Sequence, residues 1–148
     1  MVTFLEAADT AVGDAPPLSD VAEYAYAAIV PPGASLVQVA GACPLDANGV
    51  PLFPENVRGQ AQVCVQNLQQ SLEAAGASLE HLIKTTVYVA STRQEDLVAA
   101  WEVIRDALAP HRPPSTLLGV AALGYDHQLV EIEGLAAFTA AAEAPGAD

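Results

Sequence analysis

The sequence predicts a single α+β domain in which two helices pack on one face of a mixed β-sheet. The chain has 148 residues, the usual size of one compact domain that buries about two-thirds of its unfolded surface. Two segments place apolar residues at helical spacing, and several other runs are β-branched and bounded by turn signals. Two helices on one sheet form two layers, so the second face of the sheet needs cover from another subunit if it is apolar.

The N-terminal part is predicted to contain an extended lead-in and a β-hairpin. Residues 1–20 mix acidic residues with glycine and prolines, which indicates extended chain and leaves open whether it pairs with a sheet. From Tyr24 the sequence alternates, and Pro31-Pro32-Gly33 then turns the chain towards the run LVQVAG, which ends at Gly41. We expect these two runs to pair with each other.

The middle of the chain is predicted to hold both helices and a strand between them. Apolar residues recur at steps of three and four over 56–75, and Gly76 is a natural C-terminal stop. The run LIKTTVYVAS, residues 82–91, is rich in β-branched residues and predicts a strand. A second helix is predicted over 96–108, where apolar residues again recur at steps of four and three.

The last third is predicted to form a closing hairpin. STLLGVAAL, residues 115–123, and LVEIEGLAAF, residues 129–138, flank a turn signal at 124–126. The alanine-rich tail, residues 140–148, is expected to fray.

The composition excludes several classes of partner. With 18 acidic and 5 basic residues the net charge is −13, which repels phosphate backbones, so we do not expect nucleic acid as a partner. No signal peptide and no run of 18 apolar residues is present, so we expect a cytoplasmic protein without a membrane partner. Cys43 and Cys64 are too few for a metal set and the three histidines stand apart, so neither metal nor other cofactor is expected. Both cysteines are interpreted as ordinary thiols, with a reactive Cys43 as the alternative.

Four runs of the sequence resemble the Rid (YjgF-type) family of imine and enamine deaminases, in the family's order and at about its spacings. They are GACPLD (41–46), SLEAAGASLEHL, IKTTVYV (83–89) and LVEIEGLA (129–136). The resemblance covers roughly residues 24–138 and implies a chorismate-mutase-like fold assembled as a homotrimer. It also implies pockets between subunits that hydrolyse reactive imines and enamines to keto acids and ammonia. That hydrolysis needs no metal, because an iminium carbon is already electrophilic.

The resemblance also implies site residues, with three departures from the family pattern. Glu131 matches the family's glutamate that is thought to position water, and Tyr26 matches a tyrosine of the first strand. Ser115 stands where the family has an arginine that binds the substrate carboxylate in a bidentate manner. Ala40 stands in place of a serine, and Trp101 in place of an asparagine.

We therefore predict Glu131 as the general base of the site. The residues predicted to bind substrate are Tyr26, Ser115, Thr116, Trp101 and Gly41, the last through backbone amides near it. Without the arginine a carboxylate loses its strongest anchor, which favours neutral or amine-bearing ligands. The alternatives are a solvated or interface carboxylate at Glu131 and structural aromatic residues at Tyr26 and Trp101. Arg112 lies three residues upstream of Ser115, in a position more typical of a surface residue.

Two functions are compatible with these residues. The first is a Rid-like hydrolase of small reactive imine or enamine metabolites, working in intersubunit pockets. The alternative is a trimer that binds a small metabolite without turnover, which the three replaced positions favour. A ribonuclease is disfavoured, since the charge of −13 opposes RNA binding.

Overall fold

The computed structural model describes residues 1–140. It consists of a four-stranded mixed sheet, two helices packed on one face of that sheet, and a separate two-stranded sheet. In chain order the elements are β1 (Thr3–Leu5), β2 (Ala27–Ile29), β3 (Ser35–Gln38), α1 (Val57–Ala74), β4 (Leu82–Val89), α2 (Gln94–Leu108), β5 (Ser115–Gly119) and β6 (Val130–Phe138). The predicted two-layer α+β class is confirmed. The tail predicted to fray, 140–148, lies outside the described residues except for Ala140.

Both helices form where the apolar spacing predicts them. The side chain of Asn56 caps α1 by accepting a hydrogen bond from the Gly59 N–H at 2.9 Å. The helix stops at Gly76, whose φ of 79° is the left-handed conformation that glycine adopts most readily. Helix α2 begins two residues earlier than predicted, and Glu95 and Asp96 in its first turn interact favourably with the helix dipole. None of the helices in residues 1–140 is long and apolar enough to cross a membrane.

The predicted closing hairpin is wrong, because β4 lies between β5 and β6. The strand order is β3-β6-β4-β5, with β5 parallel to β4 and β6 antiparallel to it. The chain leaves β4 and returns through α2, and a helical crossover of this kind brings the next strand back in the same direction. Strand β6 then pairs along the other side of β4.

The predicted N-terminal hairpin is also wrong. Strand β2 pairs with β1, while β3 pairs with β6, so the lead-in contributes a strand and the sheet is divided in two. Pro31 and Pro32 lie between β2 and β3, and proline has no N–H to donate to a continuing ladder. Tyr24 and Tyr26 precede β2 and lie outside any strand.

The core lies between the helices and the four-stranded sheet. Its largest fully buried side chains include Leu68, Leu72, Leu82, Ile104 and Ile132, each of which contributes about 1.5–3 kcal/mol through burial. The opposite face, here called the open face, carries alternate residues of each strand. By strand register, those residues are Leu36, Gln38, Lys84, Thr86, Tyr88, Thr116, Leu118, Glu131, Glu133 and Leu135. The open face is therefore mixed in polarity, with Leu36 and Leu118 exposed by 56% and 42%.

Candidate functional site

The carboxylate of Glu131 lies directly against Gly41. The segment that contains Gly41 runs beside β6, where Ala42 and Ile132 exchange backbone hydrogen bonds of 2.7 and 3.2 Å. A Cβ atom built on Gly41 would lie 1.7 Å from Oε1 of Glu131, much closer than atoms can approach. Gly41 does not have a left-handed φ, so glycine is needed here for space and not for conformation. The structure thus brings together two of the predicted site residues.

The side chain of Gln128 contacts the Glu131 carboxylate and is almost fully buried, at 4% exposure. Its Oε1 accepts the Tyr125 N–H at 3.2 Å. Its Nε2 donates to the Val130 carbonyl at 3.1 Å and reaches Oε2 of Glu131 at 3.4 Å. The amide therefore fixes the turn before β6 and also contacts the carboxylate that β6 presents.

A second buried glutamine, Gln60 on α1, holds the loops around this turn. Its Nε2 donates to the carbonyls of Phe53 and His127 at 3.2 and 2.9 Å. Its Oε1 accepts the Leu129 N–H at 2.6 Å. Phe53 and His127 are the two non-glycine residues with positive φ among the described residues, at 47° and 61°. One fully buried amide therefore stabilises two unfavourable backbone conformations beside the site.

Cys43 adds a thiol to the same cluster. Its Sγ lies 3.5 Å from the Gly41 carbonyl, and Asn67 on α1 anchors the Cys43 carbonyl at 2.8 Å. Burial raises the pKa of the Cys43 thiol, and the negative charge of Glu131 raises it further. The thiol is therefore protonated at neutral pH, and Cys43 is not an activated nucleophile.

Ser115, Thr116 and Trp101 meet elsewhere, in a cleft of about 390 Å³. Its remaining lining residues are Tyr24 and Leu117, so no cationic side chain of the described residues lines it. The Tyr24 and Trp101 rings lie edge to face with their centroids 6.3 Å apart. A cleft walled by two aromatic rings suits flat or cationic groups better than a carboxylate.

Glu23 supports the Trp101 wall of this cleft. Its carboxylate accepts the Trp101 indole N–H at 2.6 Å and a guanidinium N–H of Arg105 at 2.8 Å. The hydrogen bond from the indole, followed by that from Arg105, lowers the pKa of Glu23. Trp101 is therefore held in one orientation by a charged acceptor.

The hydroxyl groups of Ser115 and Thr116 already have partners within the chain. Ser115 Oγ donates to the Pro113 carbonyl at 2.9 Å and lies 2.7 Å from the Thr85 hydroxyl. Thr116 lies on the open face, where its Oγ1 accepts from the Lys84 ammonium at 2.6 Å. Burial lowers the pKa of Lys84.

Tyr26 is not part of either cluster. Its hydroxyl donates to the Ser19 carbonyl at 2.6 Å, and its ring lines a neighbouring cleft with Arg112. Arg112 donates to the Ala22 carbonyl at 2.5 Å and lies 3.8 Å from the carboxylate of Glu6. Neither side chain reaches Ser115 in the structure, and Tyr24 is the tyrosine that lies beside Trp101.

Within one chain, Glu131 and Ser115 lie far apart. Glu131 pairs with Tyr88 and Ser115 pairs with Thr85 on opposite sides of β4. Three residues along the strand and two strand spacings correspond to about 14 Å between their Cα atoms. Their partners on β4 are three residues apart, so the two side chains also project from opposite faces of the sheet. A single chain therefore holds two separate clusters of predicted site residues, one around Glu131 and one around Ser115.

Two further observations concern the rest of the surface. An apolar cleft of about 450 Å³ lies between the N-terminus and the end of β6, near Phe4 and Phe138, and it contains none of the predicted site residues. Among residues 1–140, no three His, Cys, Asp or Glu side chains are grouped so that they could hold a metal ion.

Sequence comparison places the chain among known proteins. A family model described as endoribonuclease L-PSP matches residues 17–138. A RutC family protein of Pyrococcus horikoshii is 31% identical over 98 residues, which are 66% of this chain and 75% of that protein. The RutC family protein UK114 of Drosophila melanogaster is 34% identical over 100 residues, covering 68% of this chain and 70% of the relative.

Structure comparison gives the same result. The crystal structure of a protein of the conserved Rid family from Yersinia pestis, of unknown function, superimposes with a TM-score of 0.72 at 25% identity. The superposition covers 78% of this chain and 87% of the Yersinia chain.

Proposed function

The chain belongs to the Rid (YjgF) family, whose family model is described as endoribonuclease L-PSP, and on that premise we propose that it hydrolyses small reactive imines and enamines. Membership of the family supports a role that involves small molecules. The observation that carries the proposal is the Glu131 carboxylate, which is held against Gly41 and remains partly accessible. A fixed carboxylate at a partly open position is what the activation of a water molecule requires.

We propose that each pocket forms between two chains of a homotrimer. The Glu131 cluster and the Ser115 cluster, here taken as two half-sites, are about 14 Å apart in one chain, too far to act on one small substrate. Strands β3 and β5 lie at the edges of the sheet, with one side unpaired in the chain, and both carry exposed leucines, Leu36 and Leu118. Contact between chains along these edges covers the leucines and brings the Glu131 half-site of one chain towards the Ser115 half-site of the next.

The proposed reaction uses water as the only co-substrate. The substrate reacts as the protonated imine. Glu131 accepts a proton from water while the water oxygen forms a bond to the imine carbon, and the C=N π electrons move to nitrogen, which gives a neutral carbinolamine. The nitrogen then takes up the proton held by Glu131, and the C–N bond breaks so that ammonia leaves with the bonding pair. The hydroxyl proton passes to the Glu131 carboxylate as the carbonyl forms, and all three proton transfers suit a carboxylate that alternates between base and acid.

The proposed substrate class lacks a carboxylate. Within residues 1–140, no cationic side chain lines the cleft at Ser115, and the chain has a net charge of −13, so an anionic imino acid is repelled and poorly anchored. A protonated imine is a cation, which the rings of Tyr24 and Trp101 and the carboxylate of Glu131 all favour. Amine-derived imines therefore fit the proposed pocket better than imino acids.

Ammonia release tests the proposal. Purified protein is mixed with freshly generated imines, with and without a carboxylate, and ammonia is followed in a coupled assay against buffer. We expect turnover of the imines without a carboxylate, which Glu131→Gln reduces by about two to four orders of magnitude. The matched control is Glu133→Gln, since Glu133 is exposed on the same face of β6, and this variant should retain the activity. If wild-type protein gives no rate above buffer over the panel, the proposal is refuted.

One observation favours a second candidate, a trimer that binds a metabolite without turnover. The Ser115 hydroxyl is occupied by Pro113 and Thr85, so it offers little to a reacting substrate. Saturable thermal stabilisation by the same compounds without release of ammonia would support this candidate over the enzyme.

A further inference from the structure

We propose that Gln128 is a positioning residue that holds the Glu131 carboxylate over Gly41 in one orientation. The inference rests on the proposed function, since it assigns how the general base of that reaction is held. Gln128 lies outside the runs that resemble the family and carries no sequence signal of its own.

The Gln128 side chain has its orientation set by its other contacts. Its Oε1 accepts the Tyr125 N–H, so its Nε2 must point the other way, towards Val130 and Glu131. The backbone N–H of Gln128 is also bonded, to the Tyr125 carbonyl at 3.1 Å. A nearly buried amide with these contacts cannot rotate away, and its remaining N–H is available to one carboxylate oxygen.

The Cys43 thiol reports on the same carboxylate. Its Sγ donates to the Gly41 carbonyl at 3.5 Å, and Gly41 is the residue against which Glu131 packs. Burial and the charge of Glu131 raise the pKa of this thiol, so its titration is a probe of the cluster. The main-chain segment that carries it is fixed by Asn67, whose Nδ2 donates to the carbonyls of Cys43 and Leu45.

Together these contacts define the orientation of Glu131. Gly41 leaves room for the carboxylate on one side, and the amide of Gln128 contacts it on another. The Gln128 N–H reaches Oε2 while Oε1 lies over Gly41, so both oxygens of the carboxylate have a defined place. In the described part of the chain, the other titratable groups near this cluster are Cys64 on α1, Tyr88 on β4 and Glu133 on β6. The variants below leave all three of these groups unchanged.

The first test measures the cluster directly and needs no enzymatic turnover. The rate at which iodoacetamide alkylates Cys43 is measured against pH in the trimer. The same measurement on Cys43→Ala gives the background from buried Cys64, which is subtracted. We expect Glu131→Gln to move the Cys43 profile to lower pH, because a neighbouring negative charge is removed. We expect Gln128→Met to move it to higher pH, because the nearby amide, which lowers the pKa of the thiol, is removed. Identical profiles in wild type and both variants would overturn the inference.

The second test asks whether the contact matters for the base. We expect Gln128→Met to lower kcat about tenfold with little change in KM, because the carboxylate is misplaced while the contacts to substrate are kept. A role in packing alone predicts a lower Tm with kcat and KM unchanged, and that result would refute the positioning role.

The two tests separate the two proposals. If wild-type protein releases no ammonia but the alkylation profiles move in opposite directions, the proposed function fails and the arrangement around Glu131 stands. If ammonia is released and Glu131→Gln abolishes it, but the profiles do not move, the function stands and the inference fails.

Discussion

Replacing Gly41 by alanine is the sharpest perturbation of the Glu131 half-site that the structure offers. The added Cβ would lie 1.7 Å from Oε1 of Glu131 and 2.7 Å from its Cδ, and real Cβ contacts essentially never fall below 3.0 Å. The carboxylate oxygen must therefore move by about 1.3 Å or more, and a misplacement of about 1 Å in a catalytic group costs about 100-fold in rate.

The stability of Gly41→Ala should change much less than its activity. The clashing atoms belong to the end of a flexible side chain, and the backbone at Gly41 is not left-handed, so alanine fits once Glu131 changes rotamer. Such a change costs about 0.5–1.5 kcal/mol, which lowers Tm by only a few degrees for a chain of this size.

The assay compares kcat/KM for ammonia release with Tm in two variants. Gly124→Ala is the matched control, because a Cβ there meets no atom within 4 Å. We expect Gly41→Ala to lose about 100-fold in kcat/KM and Gly124→Ala to keep wild-type activity. The reasoning is refuted if Gly41→Ala remains active, since a displaced Glu131 carboxylate would then be irrelevant to the reaction.

Three further predictions follow from other contacts. Gln60→Leu should lower the free energy of unfolding, measured in urea, by about 1–3 kcal/mol, because it leaves the Leu129 N–H unpaired. The control, Gln62→Leu at an exposed position of α1, should change this free energy little. Equal effects of the two substitutions would contradict the role of the buried amide. Trp101 is the only tryptophan of the chain, so the tryptophan fluorescence of the protein reports on binding at the cleft. Amine ligands should quench this fluorescence at lower concentration than carboxylates of the same size. The reverse order would contradict a cleft that favours cations. Ser115→Arg should introduce binding of small keto acids, measured by calorimetry, and failure to do so would place Ser115 outside the pocket.

The helices were predictable because their signals are local. The spacing of Val65, Leu68 and Leu72 and the stop at Gly76 depend only on neighbouring residues, and α1 ends where they predict. Strands β4, β5 and β6 were also located correctly, since β-branched and alternating runs are local patterns as well.

Strand pairing was not predictable in the same way, because it depends on contacts distant in sequence. Strand β2 pairs with β1 of the lead-in and not with β3, and β4 lies between β5 and β6. Neither arrangement can be predicted from one segment alone, because each strand has a second possible partner elsewhere in the chain. The proline pair at 31–32 was interpreted as a turn within a hairpin, although it also separates two strands that join different sheets.

For the candidate site, resemblance located Glu131 and Gly41 but not the residues that support them. Gln128 contacts Glu131 from a turn three residues earlier, and no periodicity marks such a contact. Tyr24 and Tyr26 share one face in an alternating run, so alternation alone does not tell which ring meets Trp101. The assignments of function to these residues stay predictions until activity is measured.

The shared pocket is tested most directly by mixing two inactive variants. Glu131→Gln disables one half-site and Trp101→Ala disables the other, and each is expected to be inactive as a homotrimer. Co-expression of the two variants in equal amounts should recover about a quarter of the wild-type ammonia release. In randomly mixed trimers, about a quarter of the pockets combine the intact Glu131 half of one variant with the intact Trp101 half of the other. Activity no greater than that of the two separate variants would contradict a pocket built from two chains.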